Sequence, residues 1–201
     1  MNKIFKVATL LVILATVSSF SEEKDVKFSV RAGFSLYDYP SGERGTDKYI
    51  SRSRGFNGGF VISRQIANSI SLVQEIGFLY RKLLFMDLKD IEVWVNEFAI
   101  SLPLMLQFRP VEGTPFYWAA GIQIDPLTAS EMRTKTDYEE KTENIRHRRI
   151  PIDFGIPLGF GYLITPNFGI DLRTVIDVTS PYKNDKDAGW SQYGFGLNYY
   201  F

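Results

Sequence analysis

The stretch IPIDFGIPLGFGY, residues 150–162, alternates almost without a break. Ile150, Ile152, Phe154, Ile156, Leu158, Phe160 and Tyr162 share one parity, while Asp153, Gly155, Gly159 and Gly161 share the other. An extended chain sends successive side chains to opposite faces, so the pattern predicts a strand with one greasy face and one small, polar face. The pattern recurs in VKFSVRAGFSLY (26–37), FNGGFVIS (56–63), ISLVQEIGFLYR (70–81) and EFAISLPLMLQF (97–108). It returns in FYWAAGIQID (116–125), FGIDLRTVIDV (168–178) and YGFGLNYYF (193–201), giving eight strands in all. Each is close to the ten or so residues that a tilted, bilayer-spanning strand needs.

The links alternate as well. Residues 64–69, 109–115 and 163–167 make short connections, whereas 38–55 and 126–149 are long and polar. Short turns on one rim and long loops on the other are the habit of bacterial outer-membrane barrels, with periplasmic turns and extracellular loops. An even strand number also puts both termini on the periplasmic side. The expected fold is all-β: an eight-stranded antiparallel up-and-down transmembrane β-barrel.

Alternation alone does not separate this barrel from a soluble one that turns its apolar side inward. The glycines do. Gly33, Gly59, Gly77, Gly121, Gly155, Gly159, Gly161, Gly169, Gly194 and Gly196 all lie on the polar parity, with Gly58 the main exception. Eight strands leave an interior that side chains just fill, so a face of Gly, Ser and a few charges suits the lumen. The face of Phe, Trp, Ile and Leu then meets lipid, with Phe116, Trp118, Tyr162, Phe168 and Tyr199 near strand ends as an interfacial girdle.

The start of the chain carries a compartment signal. Lys3 and Lys6 precede the apolar run Val7–Val17 and the small residues Ser19 and Ser21, the layout of a secretory signal peptide. The apolar run falls short of the roughly 20 residues a spanning helix requires. The expected organisation is a signal peptide over residues 1–21 and a single barrel domain over 22–201. The mature chain has 21 basic and 23 acidic residues, with no basic stripe for nucleic acid. It has no Cys, so its stability cannot come from disulfides.

The inward parity also holds charges: Lys27, Arg31, Arg81 and Arg173, with Glu75, Glu97, Asp125, Asp153, Asp171 and Asp177. Buried charges must be paired. The expected interior network joins Arg31 and Arg173 to carboxylates among Glu75, Glu97, Asp153 and Asp171 and plugs the lumen. A conducting lumen is the alternative, although wide aqueous channels belong to barrels of about 16 strands. Catalysis is not expected. The one histidine, His147, sits in the loop run Arg146-His147-Arg148-Arg149 rather than beside a strand nucleophile. That run is a candidate contact for anionic lipid, its Arg forks suiting lipopolysaccharide phosphates. Asp185 and Asp187 have the spacing of a calcium loop without the rest of its ligands, and read as a turn. No metal site and no cofactor is expected. Pro103, Pro151 and Pro157 share the inward parity, where bulges would accommodate them.

Two motifs carry a family resemblance. Gly196-x-x-Tyr199-x-Phe201 resembles the C-terminal signal of bacterial outer-membrane proteins, with Gly194 where a polar residue is common. NEFAISLPLMLQF resembles the acidic-then-PL central strand of the PorT-like outer-membrane barrel family. The resemblance implies an outer-membrane barrel that the barrel-assembly machinery recognises through Gly196, Tyr199 and Phe201. The expected role is structural or interaction-based, through the long loops 38–55 and 126–149: adhesion, surface binding, or the support of envelope secretion that the PorT-like resemblance suggests. Lipopolysaccharide or a surface or periplasmic protein would be the partner. A narrow pore is the alternative, and a lipid-modifying enzyme the third reading.

Overall fold

The computed structural model describes residues 26–38, 53–88, 91–111, 113–179 and 191–201. Residues 1–21, read above as a signal peptide, most of the 38–55 link, and Asp185 and Asp187, read above as part of a turn, lie outside the described residues. Among the described residues nine strands run in chain order: β1 (Val26–Asp38), β2 (Arg54–Ala67), β3 (Ile70–Leu88), β4 (Ile91–Phe108) and β5 (Phe116–Thr136), then β6 (Glu140–Asn144), β7 (Ile152–Thr165), β8 (Phe168–Asp177) and β9 (Ser191–Tyr200). Eight of them close an antiparallel barrel in the order β1-β2-β3-β4-β5-β7-β8-β9, with β1 and β9 paired along their length. Closure gives each barrel strand a partner on both sides within the belt, the only way a sheet crosses lipid. β6 stands outside the cylinder, paired to the outer end of β5.

Inward and outward faces follow the alternation. Ser29, Arg31, Ser35, Glu75, Glu97, Asp153 and Asp171 are buried, while Phe60 (70%), Leu172 (59%) and Trp118 (57%) on the other parity are exposed. Such a band of bare apolar surface fits a hydrocarbon environment. Lys27 has the inward parity but is exposed at the periplasmic rim. Close approach explains two glycines: a Cβ at Gly59 would lie 2.6 Å from the Gly77 Cα across the ladder, and one at Gly77 would lie 2.3 Å from the Gly58 carbonyl oxygen. Those obstacles are backbone and cannot rotate aside.

Three features differ from the reading of the sequence. Strands β3, β4 and β5 continue well beyond the belt, so 82–88, 91–96 and 126–136 are strand rather than loop. With β6 they raise an extracellular sheet above the membrane. Pro103 and Pro157 point inward and are fully buried, yet no bulge accompanies either. The register stays constant across Pro103, from Gln74↔Leu104 to Gly77↔Ser101, and across Pro157, from Ala120↔Leu158 to Gln123↔Gly155. Each proline interrupts one ladder for two residues, and the neighbouring ladder keeps the strand aligned (Pro103↔Gln123 and Pro157↔Val175). One bulge lies in β5 instead, where Phe98 faces Ala129 and Ala99 faces Leu127. Thr128 is the extra residue, and its hydroxyl donates to the Phe98 carbonyl at 2.6 Å. Beyond it the parity flips: Ser130 and Met132 turn inward, Glu131 and Arg133 outward.

The belt gives a direct test. Phe60 lies midway between Arg54 and Arg64 on β2 and faces lipid, so Phe60→Arg is expected to destabilise the barrel by about 2–4 kcal/mol in urea titrations in bilayers. Tyr138→Arg, at a side chain that is 98% exposed, is expected to stay within about 0.5 kcal/mol of the unmutated protein.

Candidate functional site

The lumen holds two charged clusters, one above the other. In the membrane-central cluster Arg31 of β1 grips Asp171 of β8 with a two-pronged fork, Nε to Oδ2 at 3.0 Å and Nη2 to Oδ1 at 2.8 Å. Its third nitrogen donates to Asn57 Oδ1 and lies 3.9 Å from Glu75 Oε1. Arg173 donates to Glu75 Oε2 at 2.9 Å, and Asn198 donates to Asp171 Oδ2 at 2.7 Å. Asn57 and Gln192 both donate to Ser35 Oγ at 2.9 Å, which ties the cluster to β1, β2 and β9. Two guanidinium groups thus meet two carboxylates, and planar forks of this kind are the strongest of protein ion pairs.

Room for the Arg31 fork comes from the opposed pair Gly33 and Gly196. A Cβ at Gly196 would fall 2.5 Å from both Arg31 Nη2 and Asp171 Oδ2. Below the cluster, toward the periplasm, a cavity of about 30 Å³ is lined in part by Val61, Val73, Met105 and Tyr117, room for about two waters.

The second cluster lies nearer the extracellular mouth. Arg81 Nε of β3 stands 3.1 Å from Glu97 Oε2 of β4, and Arg81 also donates to Asp153 of β7. Arg149 enters from the β6–β7 connection, donates through Nη2 to Glu97 Oε2 at 2.8 Å, and approaches Asp153 Oδ2 at 3.7 Å. Ser130 Oγ completes the shell of Glu97 at 3.1 Å. All four charged side chains are at most 2% exposed. Arg149 is brought there by a strap across the mouth, a single 3-10 turn over Arg146–Arg148. Ile145 anchors the other end of the strap: its amide donates to the Ser130 carbonyl at 3.1 Å, and its side chain joins Tyr37, Leu79, Leu83, Val95 and Ala99.

The outer membrane protein beta-barrel domain model matches residues 18–180. The chain belongs to this outer-membrane barrel family. Its place is the outer membrane. Among solved structures it is similar in fold to Ail, the attachment invasion locus protein of Yersinia pestis, in complex with the heparin analogue sucrose octasulfate, at 16% identity and TM-score 0.54, covering 88% of this chain and 99% of that one. It is also similar to Neisserial surface protein A, at 12% identity and TM-score 0.51, covering 89% and all of that chain. No curated protein sequence matches it.

Within this outer-membrane barrel the sequence-derived residues fall into two groups. Arg31, Glu75, Asp171 and Arg173 meet one another. Glu97 and Asp153 pair instead with Arg81 and Arg149, a full cluster away from Arg31. Arg149 therefore leaves the lipid-contact run: it is 1% exposed in the lumen and cannot reach a headgroup. Arg146, His147 and Arg148 do stand on the surface, with Arg148 Nη2 3.0 Å from Glu143 Oε1. Parity is undefined in a loop, so nothing marked Arg149 beforehand except the isolated apolar Ile145 in a charged stretch. Of the terminal motif, Gly196 faces the lumen while Tyr199 and Phe201 face outward with rings 5.6 Å apart. The Phe201 amide donates to the Phe28 carbonyl at 3.0 Å, which carries the β1–β9 seam to the last residue. Among the described residues no group of three or more His, Asp or Glu is placed to hold a metal ion.

Two outcomes follow from this geometry. Glu97→Ala removes the carboxylate that Arg81 and Arg149 share and is expected to cost about 3–5 kcal/mol in micelle unfolding, against less than about 1 kcal/mol for the half-exposed Glu143→Ala. Gly196→Ala is expected to slow or reduce spontaneous refolding into detergent micelles, where no assembly machinery is present. Refolding equal to that of the unmutated chain would leave Gly196 a role in recognition alone.

Proposed function

We propose that the protein is a closed, non-catalytic outer-membrane barrel that acts through its extracellular sheet, in surface binding, adhesion or support of envelope secretion. The observation that carries this reading is the filled lumen. Two ion-pair clusters and the Ile145–Arg149 strap occupy the interior from the membrane centre to the mouth. A solute crossing it would have to break pairs whose separation costs several kcal/mol. Meanwhile β3 to β6 hold an ordered platform outside the membrane, with Tyr138 at the exposed tip of the β5–β6 hairpin. Rigid strands present a binding surface at less entropic cost than mobile loops do.

The same proposal has residues 1–21 directing export and Gly196, Tyr199 and Phe201 read by the barrel-assembly machinery. Membership of the PorT-like group belongs here too, supported by the β4 motif. Two of its features have structural work in this barrel: Glu97 holds the upper cluster, and Pro103 is a buried, inward residue.

Planar-bilayer recording tests the closed lumen. The unmutated protein is expected to give no steady conductance steps, whereas Arg149→Gly, which frees the strap from Glu97, is expected to give intermittent openings. Steady conductance from the unmutated protein would instead make it a narrow pore.

A further inference from the structure

The outer face carries cations directly above the apolar belt. Along the ladder, Arg54 of β2 faces Lys82 of β3, Lys82 faces Asn96 of β4, and Asn96 faces Glu131 of β5. The next row outward sets Trp94 against Arg133. The row beneath holds Phe56, Tyr80, Phe98 and Ala129. Successive outward residues on a strand are about 7 Å apart, so the cations stand where hydrocarbon gives way to headgroups. Tyr80 marks the boundary, its ring on the belt and its hydroxyl 3.2 Å from Asn96 Oδ1.

The row is built, not incidental. Lys82 Nζ lies 4.2 Å from the centroid of the Trp94 ring, and Trp94 Nε1 donates to Glu92 Oε2 at 3.3 Å. The aromatic thereby fixes the ammonium at headgroup height. Arg54 and Arg133 flank it and are exposed. On these two rows one acid, Glu131, opposes three cations. The outward placement of Arg133 depends on the Thr128 bulge, without which it would point toward the lumen.

We propose that Arg54, Lys82 and Arg133 bind the phosphate groups of a phosphorylated lipid in the outer leaflet, whose acyl chains lie on Phe56 and Phe98 below. The belt is what selects a lipid over a free anion: the cations and the apolar row are stacked on neighbouring strands of one sheet. The site is separate from the Arg146–Arg148 turn and does not depend on what the extracellular sheet binds.

Lipid retention in nanodiscs tests it. Protein taken from outer membranes is placed in phosphatidylcholine discs and titrated with bisphosphorylated lipid A or with the same lipid stripped of phosphate. The combined Arg54→Gln, Lys82→Gln and Arg133→Gln variant is expected to bind lipid A about a hundredfold more weakly, roughly fivefold for each surface cation. The dephosphorylated lipid is expected to lose a similar factor on the unmutated protein. Charge-keeping Lys82→Arg with Arg133→Lys, and Lys27→Gln at the opposite, periplasmic rim, are expected to bind like the unmutated protein. Heat-dependent gel migration checks that each variant is folded. Undiminished binding by the triple variant, or equal binding of the dephosphorylated lipid, overturns the proposal. So does displacement of lipid A by equimolar inorganic pyrophosphate, which would make this a free-anion site.

Discussion

An eight-stranded barrel encloses a space that has to be filled by its own side chains, and in this protein the filling is charged. Arg31, Asp171, Glu75 and Arg173 at the centre, with Arg81, Glu97, Arg149 and Asp153 above them, bind five of the eight barrel strands and the strap to one another across the lumen. Each of these groups would be costly to bury alone, so the clusters hold only as complete sets. The small residues follow from that requirement. Gly33 and Gly196 leave the volume that the Arg31 fork takes, and Gly59 and Gly77 let two backbones approach around it.

The exterior is the inverse of a soluble protein. Its apolar side chains gain nothing by turning inward, since lipid is as apolar as they are. Stability therefore rests on a closed hydrogen-bonded ladder and on ion pairs across the lumen. That closure also explains how the sheet tolerates Pro103 and Pro157. Each has a second ladder on its other side, and a strand held on one flank does not need every bond on the other. Phe201 belongs to the same logic, because its amide bond to Phe28 extends the seam where a barrel would otherwise begin to open.

The extracellular end follows different rules from the belt. Above Phe98 the outward face changes from Phe and Ile to Asn96, Trp94 and Glu92, and the inward face gains the apolar group of Leu79, Leu83, Val95 and Ile145. The polar and apolar roles of the two faces are exchanged over a few residues, as expected where lipid outside gives way to water. Near the mouth Ile145 packs among apolar side chains and Arg149 bonds to Glu97, both from a connection that reads as a solvated loop.

Local alternation determined which way most side chains face, because a strand's period of two does not depend on its neighbours. Arg31, Glu75, Asp171 and Arg173 could be placed inside, and Phe60 and Leu172 outside, from parity alone. Parity does not measure height along the barrel. Glu97 and Asp153 share a face with Arg31 but lie nearer the mouth, and only the register of β3 with β4 and of β5 with β7 decided that Arg81 and Arg149 are their partners. A single inserted residue at Thr128 reversed the parity of everything after it in β5. That bulge is a compromise between two strands, so it leaves no mark in one. The burial of Arg149 is the clearest instance. Its sequence neighbours are exposed cations, and its position was set by an ion pair with Glu97, 52 residues away along the chain.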